Sequence, residues 1–452
     1  MNKTIPAIVI LNFVIILNIL TFINGQNNYK RYEGYKIYEI HYQNENQRVK
    51  FYNNFPNMPQ PLTMHRMKRD SSMRLLMSAT DELEVLKYLS NFAIDFEIVN
   101  HNVAESIRNE RKATQNKFSS LSNTISFESY QRFDVINNYM EYLKMQYPER
   151  VKLITVGKSY EGRDLKAVLI TNNTEAETTD KPLILIDAGI HAREWIAPAT
   201  ALFAMQQLME NSSYYERELT MYDWLILPLV NPDGYEYSHD HDRMWRKNRK
   251  PSNSSNCVGA DLNRNFDYYW SYSGVSKNSC SEIYPGVEAF SEPESQVLRD
   301  LLHSINATCR MYLTLHSYGN YLLYPWGYEK SLPSSWPYLD AVARAGARAI
   351  KKPSGTFYSV GGAANVLYPA SGGSDDYALA MAKIPVVICM ELPSGGNGFD
   401  PPSDKIQSIV EESWLGIRAM ALEAYEYPLR NVANCNVFSL FVMLCVVVVL
   451  EV

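Results

Sequence analysis

Apolar and polar residues first alternate at a spacing of two in residues 35–42 (YKIYEIHY), which predicts a strand with one buried face. Apolar residues then recur at helical spacing in 81–90 (DELEVLKYLS). Residues 108–115 (RNERKATQ) are polar, basic and without period, and read as an exposed linker. Arg111-Lys112 within it offers a cleavage point to a trypsin-like protease, although a solvated charge run has the same composition. From Phe127 the pattern changes. Residues 133–145 (FDVINNYMEYLKM) predict a helix, and short apolar runs follow at 151–156, 166–170, 182–186, 224–230, 311–315 and 385–390. Helical patterns at 198–209 and 338–350 lie among them. Unbroken apolar runs interleaved with helices predict an α/β fold, a mixed twisted sheet with helices on both faces. A small α+β unit precedes it. No internal repeat is visible.

The expected organisation is a leader at 1–25, the small unit at 26–112, the α/β unit at 113–430 and a hydrophobic tail at 431–452. The chain has 452 residues, enough for two units, and at 46% hydrophobic and 20% charged it is globular in composition. Its net charge of −6 gives no argument for a nucleic-acid partner. Lys3, an apolar stretch over 7–20 and Gly25 form a secretory leader, too short in its apolar part for an ordinary membrane span. Secretion places the six cysteines in an oxidising compartment and suits the glycosylation sequons at Asn172, Asn211, Asn253 and Asn306. Cys257 and Cys280 lie in a polar, loop-like stretch and are expected to pair, whereas Cys309 and Cys389 sit in or beside apolar runs as buried thiols. The apolar run 437–450 is short for a span and fits the removable tail of a GPI-anchor signal, with a short polar spacer before it.

Eight histidines are the candidates for metal or base chemistry. None is followed by Glu, which excludes a helical H-E-x-x-H site, and no G-x-S-x-G elbow is present. His41, His65 and His101 belong to the small unit, His239 and His241 to a polar loop (SHDHDR), and His303 to a helix. His191 and His316 differ, because each directly follows a strand-like run (LILIDAGIH, MYLTLH). Residues past the carboxyl ends of strands line the ligand crevice of an open α/β sheet. Glu194 follows His191 by three, and two histidines with one glutamate leave a fourth zinc position for water. A third run, IPVVICM, delivers Glu391 to the same edge, where a carboxylate can take a proton from activated water. Arg193, Arg243, Arg246, Arg249 and Arg264 supply cations, and guanidinium forks suit a substrate carboxylate. Each feature alone has a bland reading: a strand-end His that is merely hydrogen-bonded, or a basic surface patch.

Taken together, HAREWIAPAT, NPDGYEYS, MWRKNR, CVGADLNRNF, TLHSYGNYLLYPWGY, YPASGGSDDY and the Glu of ICMEL resemble the zinc carboxypeptidases of the pancreatic A/B type, in order over about residues 115–427. The small unit is similar to that family's inhibitory propeptide. The resemblance implies one Zn2+ per chain held by His191, Glu194 and His316. It implies Glu391 as general base and then acid, and Arg246 polarising the scissile carbonyl. Asn263, Arg264 and Tyr368 would grip the terminal carboxylate, with Arg193, Arg243 and Tyr318 along the substrate path. Asp261 would fix the ring of His191. Tyr368 lies between Gly361-Gly362 and Gly372-Gly373, which suits a mobile lid.

Specificity hangs on Asp375. An apolar residue at this position of the family favours apolar substrate ends, and an acid favours Lys or Arg, as in carboxypeptidase B. A buried carboxylate prefers a cation that pairs with it; the bland alternative is an exposed Asp375 with Asp376 in a surface pair. Two departures touch the pocket: the 376–391 segment is one residue longer than usual, and Cys389 stands where a small hydroxyl residue is frequent. The expected protein is a monomeric, secreted exopeptidase zymogen that acts on peptide C-termini and is activated by a trypsin-like protease. An apolar substrate preference and a non-enzymatic, membrane-anchored binding homologue are the competing readings.

Overall fold

The computed structural model describes residues 28–54, 63–66, 71–115, 125–172, 181–252, 255–395 and 398–450. The expected leader and the sequon at Asn253 lie outside them. Strands β1 (Lys36–Tyr42), β2 (Thr63–Arg66), β3 (Ser71–Met77) and β4 (Asp95–Asn100) form an antiparallel sheet in the order β2-β3-β1-β4. Period-two alternation gives β1 two faces. Tyr38, Ile40 and Tyr42 pack with Phe51, Val85 and Leu89 of the helices Glu45–Asn54 and Ala79–Asn91. The Ser78 hydroxyl accepts from the Asp81 N–H and caps the second helix.

The opposite face of that sheet turns to the rest of the chain. Ile37 and Leu76 share a cluster with Val103, Ala104 and Ile107 and with Met244, Tyr318 and Phe399. Here one expectation fails. Residues 108–115 are not a linker but the second half of a helix, Val103–Gln115. Asn102 caps its start by accepting from the Glu105 N–H. The buried face established by Val103, Ala104 and Ile107 continues at Glu110, a charge where periodicity leads one to look for an apolar residue.

The larger sheet has eight strands in the order β11-β10-β12-β9-β7-β8-β6-β5. They are β5 (Val151–Lys158), β6 (Asp164–Ile170), β7 (Leu183–Ala188), β8 (Asp223–Leu227), β9 (Cys309–Ser317), β10 (Tyr321–Tyr324), β11 (Ser359–Gly362) and β12 (Val386–Leu392). The four central strands β8, β7, β9 and β12 run parallel. A parallel sheet covered on both faces selects unbroken apolar strands, and every residue of β7 is buried. One face carries the helices Phe133–Gln146, Ile196–Glu210, Trp336–Ser354 and Ser403–Leu450. The other carries Pro293–Ile305 and Ser374–Ala380. The α/β expectation with a preceding small unit therefore holds.

Cys257 and Cys280 are disulfide-bonded, and Cys309 and Cys389 are buried free thiols, as expected. His239 is not on a loop. It belongs to the helix Pro232–Asp240 and stacks on Trp195 with centroids 3.7 Å apart. The helix Ser403–Leu450 runs through the expected tail, and among the described residues no helix is long and apolar enough to cross a membrane.

Candidate active site

Three parallel strands deliver the chemistry to one edge. His191 follows β7 by three residues, His316 is the penultimate residue of β9, and Glu391 lies beside His316 in the register of β12 with β9. The chain turns after β7, and the stretch that leads into the helix Ile196–Glu210 brings Glu194 back onto His191. Candidate ligand atoms of His191, Glu194 and His316 all lie within 4.8 Å of one another, and all three residues are buried.

The hydrogen-bond pattern orients these atoms. His191 Nε2 meets Asp261 Oδ1 at 3.1 Å, so its Nδ1 is turned to Glu194 at 2.8 Å and to His316 Nδ1 at 3.1 Å. His316 Nδ1 also lies 3.1 Å from Glu194 Oε2. Two imidazole nitrogens and a carboxylate thus converge at close range. A borderline-soft divalent cation with nitrogen and oxygen ligands, such as zinc, fits that donor set. Burial opposes ionisation of Glu194, but His191 and His316 outweigh it and hold the carboxyl well below its ordinary range.

Asp261 ties this trio to a cation. Its Oδ2 accepts from Arg246 Nε and Nη2 at 3.1 and 2.8 Å, and Arg264 Nη1 stands 3.7 Å away. Burial would raise the Asp261 carboxyl, yet Arg246, Arg264 and His191 drive it well below its usual value. Arg246 is also 3.8 Å from Glu194. Asp261 therefore fixes the His191 ring and the Arg246 fork together.

One cavity is lined by His191, Glu194 and His316 together with Arg246 and Glu391. Asn263, Arg264, Tyr318, Tyr368 and Asp375 line it as well. Asn263 accepts from the Ser374 N–H, so the carboxylate-gripping candidates and the helix Ser374–Ala380 are linked. Gly372 has φ +74, and a Cβ there would stand 2.3 Å from the Arg264 carbonyl oxygen; glycine is required for that approach. Burial pushes the Glu391 carboxyl up to about 7, Glu194 adds to this, and His316 and Arg246 oppose it. Asp375 is 9% exposed and forms no ion pair among the described residues. Asp376 is buried and accepts from the Gly327 and Tyr328 N–H groups, each at 2.8 Å, so the exposed-pair alternative fails for both acids.

Arg193 and Arg243 stand outside the cavity lining. Arg193 donates to the Met244 carbonyl at 3.0 Å and to Glu282 at 3.1 Å, and its guanidinium lies 4.4 Å from the Phe399 ring centroid. Arg243 pairs with Glu110. Tyr318 is 5% exposed, with Arg74 of the small unit 5.4 Å from its ring centroid. Sequence reasoning missed Glu110, Glu282 and Phe399. A signal existed for Glu282, which follows the paired Cys280 by two residues; none existed for the other two.

Residues 136–416 match the zinc carboxypeptidase family. The chain is 41% identical over 303 residues to carboxypeptidase B of Helicoverpa zea, covering 65% of this chain and 70% of that one. It is 39% identical over 299 residues to carboxypeptidase B of Astacus astacus, covering 66% and 97%. The crystal structure of carboxypeptidase A from Helicoverpa armigera superposes with a TM-score of 0.79 at 30% identity, covering 87% of this chain and 98% of that one. The chain belongs to the zinc carboxypeptidase family. It is a metallocarboxypeptidase, a hydrolase that uses zinc.

Proposed function

We propose that the chain is a secreted zymogen whose processed form removes C-terminal Lys or Arg from peptides. The observation that carries the specificity is Asp375, a carboxylate buried in the wall of the catalytic cavity and without an ion-pair partner among the described residues. Burial raises its carboxyl above the ordinary range, so an incoming ammonium or guanidinium gains from pairing with it. Leu323, Ala363 and Leu367 supply apolar wall for the stem of such a side chain. The same wall is the reason to keep apolar substrate ends as the second reading.

His191, Glu194 and His316 hold the metal in this proposal. Bound zinc lowers the pKa of a water to about 7 and acts as a Lewis acid. Glu391 takes a proton from the attacking water at its carboxylate and passes it to the departing amine. Arg246, fixed by Asp261, faces the scissile carbonyl oxygen as negative charge develops there. Asn263, Arg264 and Tyr368 hold the terminal carboxylate, which selects the last peptide bond.

The zymogen reading is supported by the cover over this edge. Tyr318, on the cavity wall, and Phe399 are buried in one cluster with Ile37 and Leu76 of the small unit. The Arg111-Lys112 bond lies within the helix Val103–Gln115, and Arg111 donates to the His239 carbonyl, so cleavage there requires local unwinding. Asn172, Asn211 and Asn306 are exposed, in keeping with secretion.

The test is release of C-terminal Arg, Lys, Phe and Leu before and after trypsin treatment, with and without a chelator. Activation by trypsin, preference for Arg and Lys, and loss with chelator are expected. Preference for Phe over Arg would sink the specificity, and full activity before treatment would sink the zymogen.

A further inference from the structure

Arg243 is wholly buried, and every nitrogen of its guanidinium is engaged. Nε and Nη2 donate to the two oxygens of Glu110 at 2.7 and 2.9 Å. Nη2 also donates to the Phe399 carbonyl at 2.7 Å, and Nη1 to the Arg193 carbonyl at 2.8 Å. The two carbonyls belong to the catalytic unit. The carboxylate comes from the helix Val103–Gln115, on the N-terminal side of the Arg111-Lys112 bond. Cleavage there would carry off the one carboxylate that pairs with Arg243 among the described residues.

Next to Phe399 stands Asp400. It is 3% exposed, and among the described residues neither of its carboxylate oxygens has a hydrogen-bond partner. Burial holds its carboxyl up, Glu110 pushes the same way and Arg243 opposes. Tyr130 is the other titratable group whose charge couples to it. After Glu110, Asp400 is the next carboxylate acting on Arg243. Buried polar groups are nearly always hydrogen-bonded, so two orphan oxygens one residue away from a guanidinium contact call for an explanation. A buried cation stripped of its partner is among the most destabilising changes a protein can suffer.

We infer that Asp400 is the reserve counter-ion of Arg243. While Glu110 is in place, Asp400 stays protonated and unpaired. When Glu110 leaves, Asp400 gives its proton to solvent and pairs with the guanidinium, which keeps its charge throughout. Arg243 then stays tied to the Phe399 and Arg193 carbonyls. The wall formed by Phe399 over the Arg193 guanidinium is thereby held in the processed enzyme. Asp400 is a positioning residue, acting through Arg243. The inference rests on the proposed zymogen for its physiological trigger, but the swap itself does not need cleavage.

The experiment is a double-mutant cycle in the full chain, read as Tm at pH 7. Asp400→Asn alone is expected to raise Tm, because at pH 7 the unfolded chain has released a proton that buried Asp400 keeps, and Asn has none to release. Glu110→Gln alone should lower it by about 2–4 °C, and the double variant should fall about 2–4 °C further than the sum of the two. Additive singles would overturn the counter-ion swap whether or not trypsin activates the protein. In trypsin-processed protein, Asp400→Asn should raise KM several-fold and leave kcat unchanged, because Phe399 lines the cavity wall. A fall in kcat as large as the rise in KM would mean a general structural role and overturn the positioning claim. A coupled cycle with no activation by trypsin would sink the zymogen and leave the swap standing.

Discussion

Two clusters of buried charge in this molecule are built in opposite ways. Around His191, Glu194 and His316, the charges come from a single unit and converge on the wall of an open cavity. Around Arg243, two units each bring a charge, and the pair closes on itself at 2.7 Å. Both clusters shift a carboxyl, Glu194 downward in the first and Asp400 upward beside the second, so perturbation alone does not distinguish a reactive site from a structural joint. What distinguishes them is filling. The first gathers lone pairs and leaves room for a cation and a substrate. The second satisfies a guanidinium on every nitrogen and leaves room for nothing.

The comparison breaks most sharply at the metal edge. Chelation, or His191→Ala, should abolish peptide turnover, and Glu391→Gln should lower kcat by about 10²–10⁴-fold while a C-terminal peptide still binds. Isothermal titration beside kinetics on the processed enzyme separates the two losses. If Glu391→Gln keeps wild-type turnover, the division between metal and base collapses.

One step from the metal lies the pocket. Asp375→Ile should cost about 10²–10³-fold in kcat/KM for C-terminal Arg and raise it for Leu, since a buried ion pair is lost and apolar wall gained. Unchanged preference would show that Asp375 does not face the substrate side chain.

The second cluster predicts stability rather than rate. Arg243→Met removes the cation and strands Glu110, so the full chain should lose about 3–5 kcal/mol, measured by denaturant unfolding. The Arg243→Met and Glu110→Leu double variant, which removes both charges, should recover most of that loss. Failure of the double variant to recover would mean that the arginine acts through its carbonyl contacts instead.

The two clusters also differ in how far the sequence shows them. His191, His316 and Glu391 each follow an apolar run, and a parallel sheet aligns the ends of such runs at one edge, so local pattern alone places them together. Asp261, Arg246 and Arg264 are legible through the resemblance of MWRKNR and CVGADLNRNF to the zinc carboxypeptidases. Glu110 was not legible. It sits at the fourth position of a helical face, where its charge makes residues 108–115 look like exposed linker. Its burial depends on Arg243, 133 residues further on, and no local rule anticipates that partner. His239 misled for the same reason: the first half of the polar-looking SHDHDR stretch is the end of the helix Pro232–Asp240, and His239 there stacks on Trp195. Periodicity reports which face is buried, but not that a charge can occupy it when a distant residue supplies the counter-charge.

The smallest expected effect is also the one that sets the two clusters apart without touching either metal or substrate. Asp400, beside the closed pair, has its carboxyl pushed up to about 8 by burial and by Glu110. An unfolded Asp titrates near pH ~4, so the folded chain holds this proton over a window in which the unfolded chain has released it. The stabilisation is complete below about pH 4 and is lost as pH rises towards about 8. Full-length protein should therefore lose Tm across that window, and Asp400→Asn should flatten the decline by several °C without altering Glu110 or Arg243. Glu110→Gln should flatten it too, by a different route: Asp400 then pairs with Arg243 and ionises at low pH in both states. A decline that survives Asp400→Asn unchanged belongs to other buried carboxyls, such as Glu294, pushed up to about 7 by burial, and Asp400 would then carry no part of it.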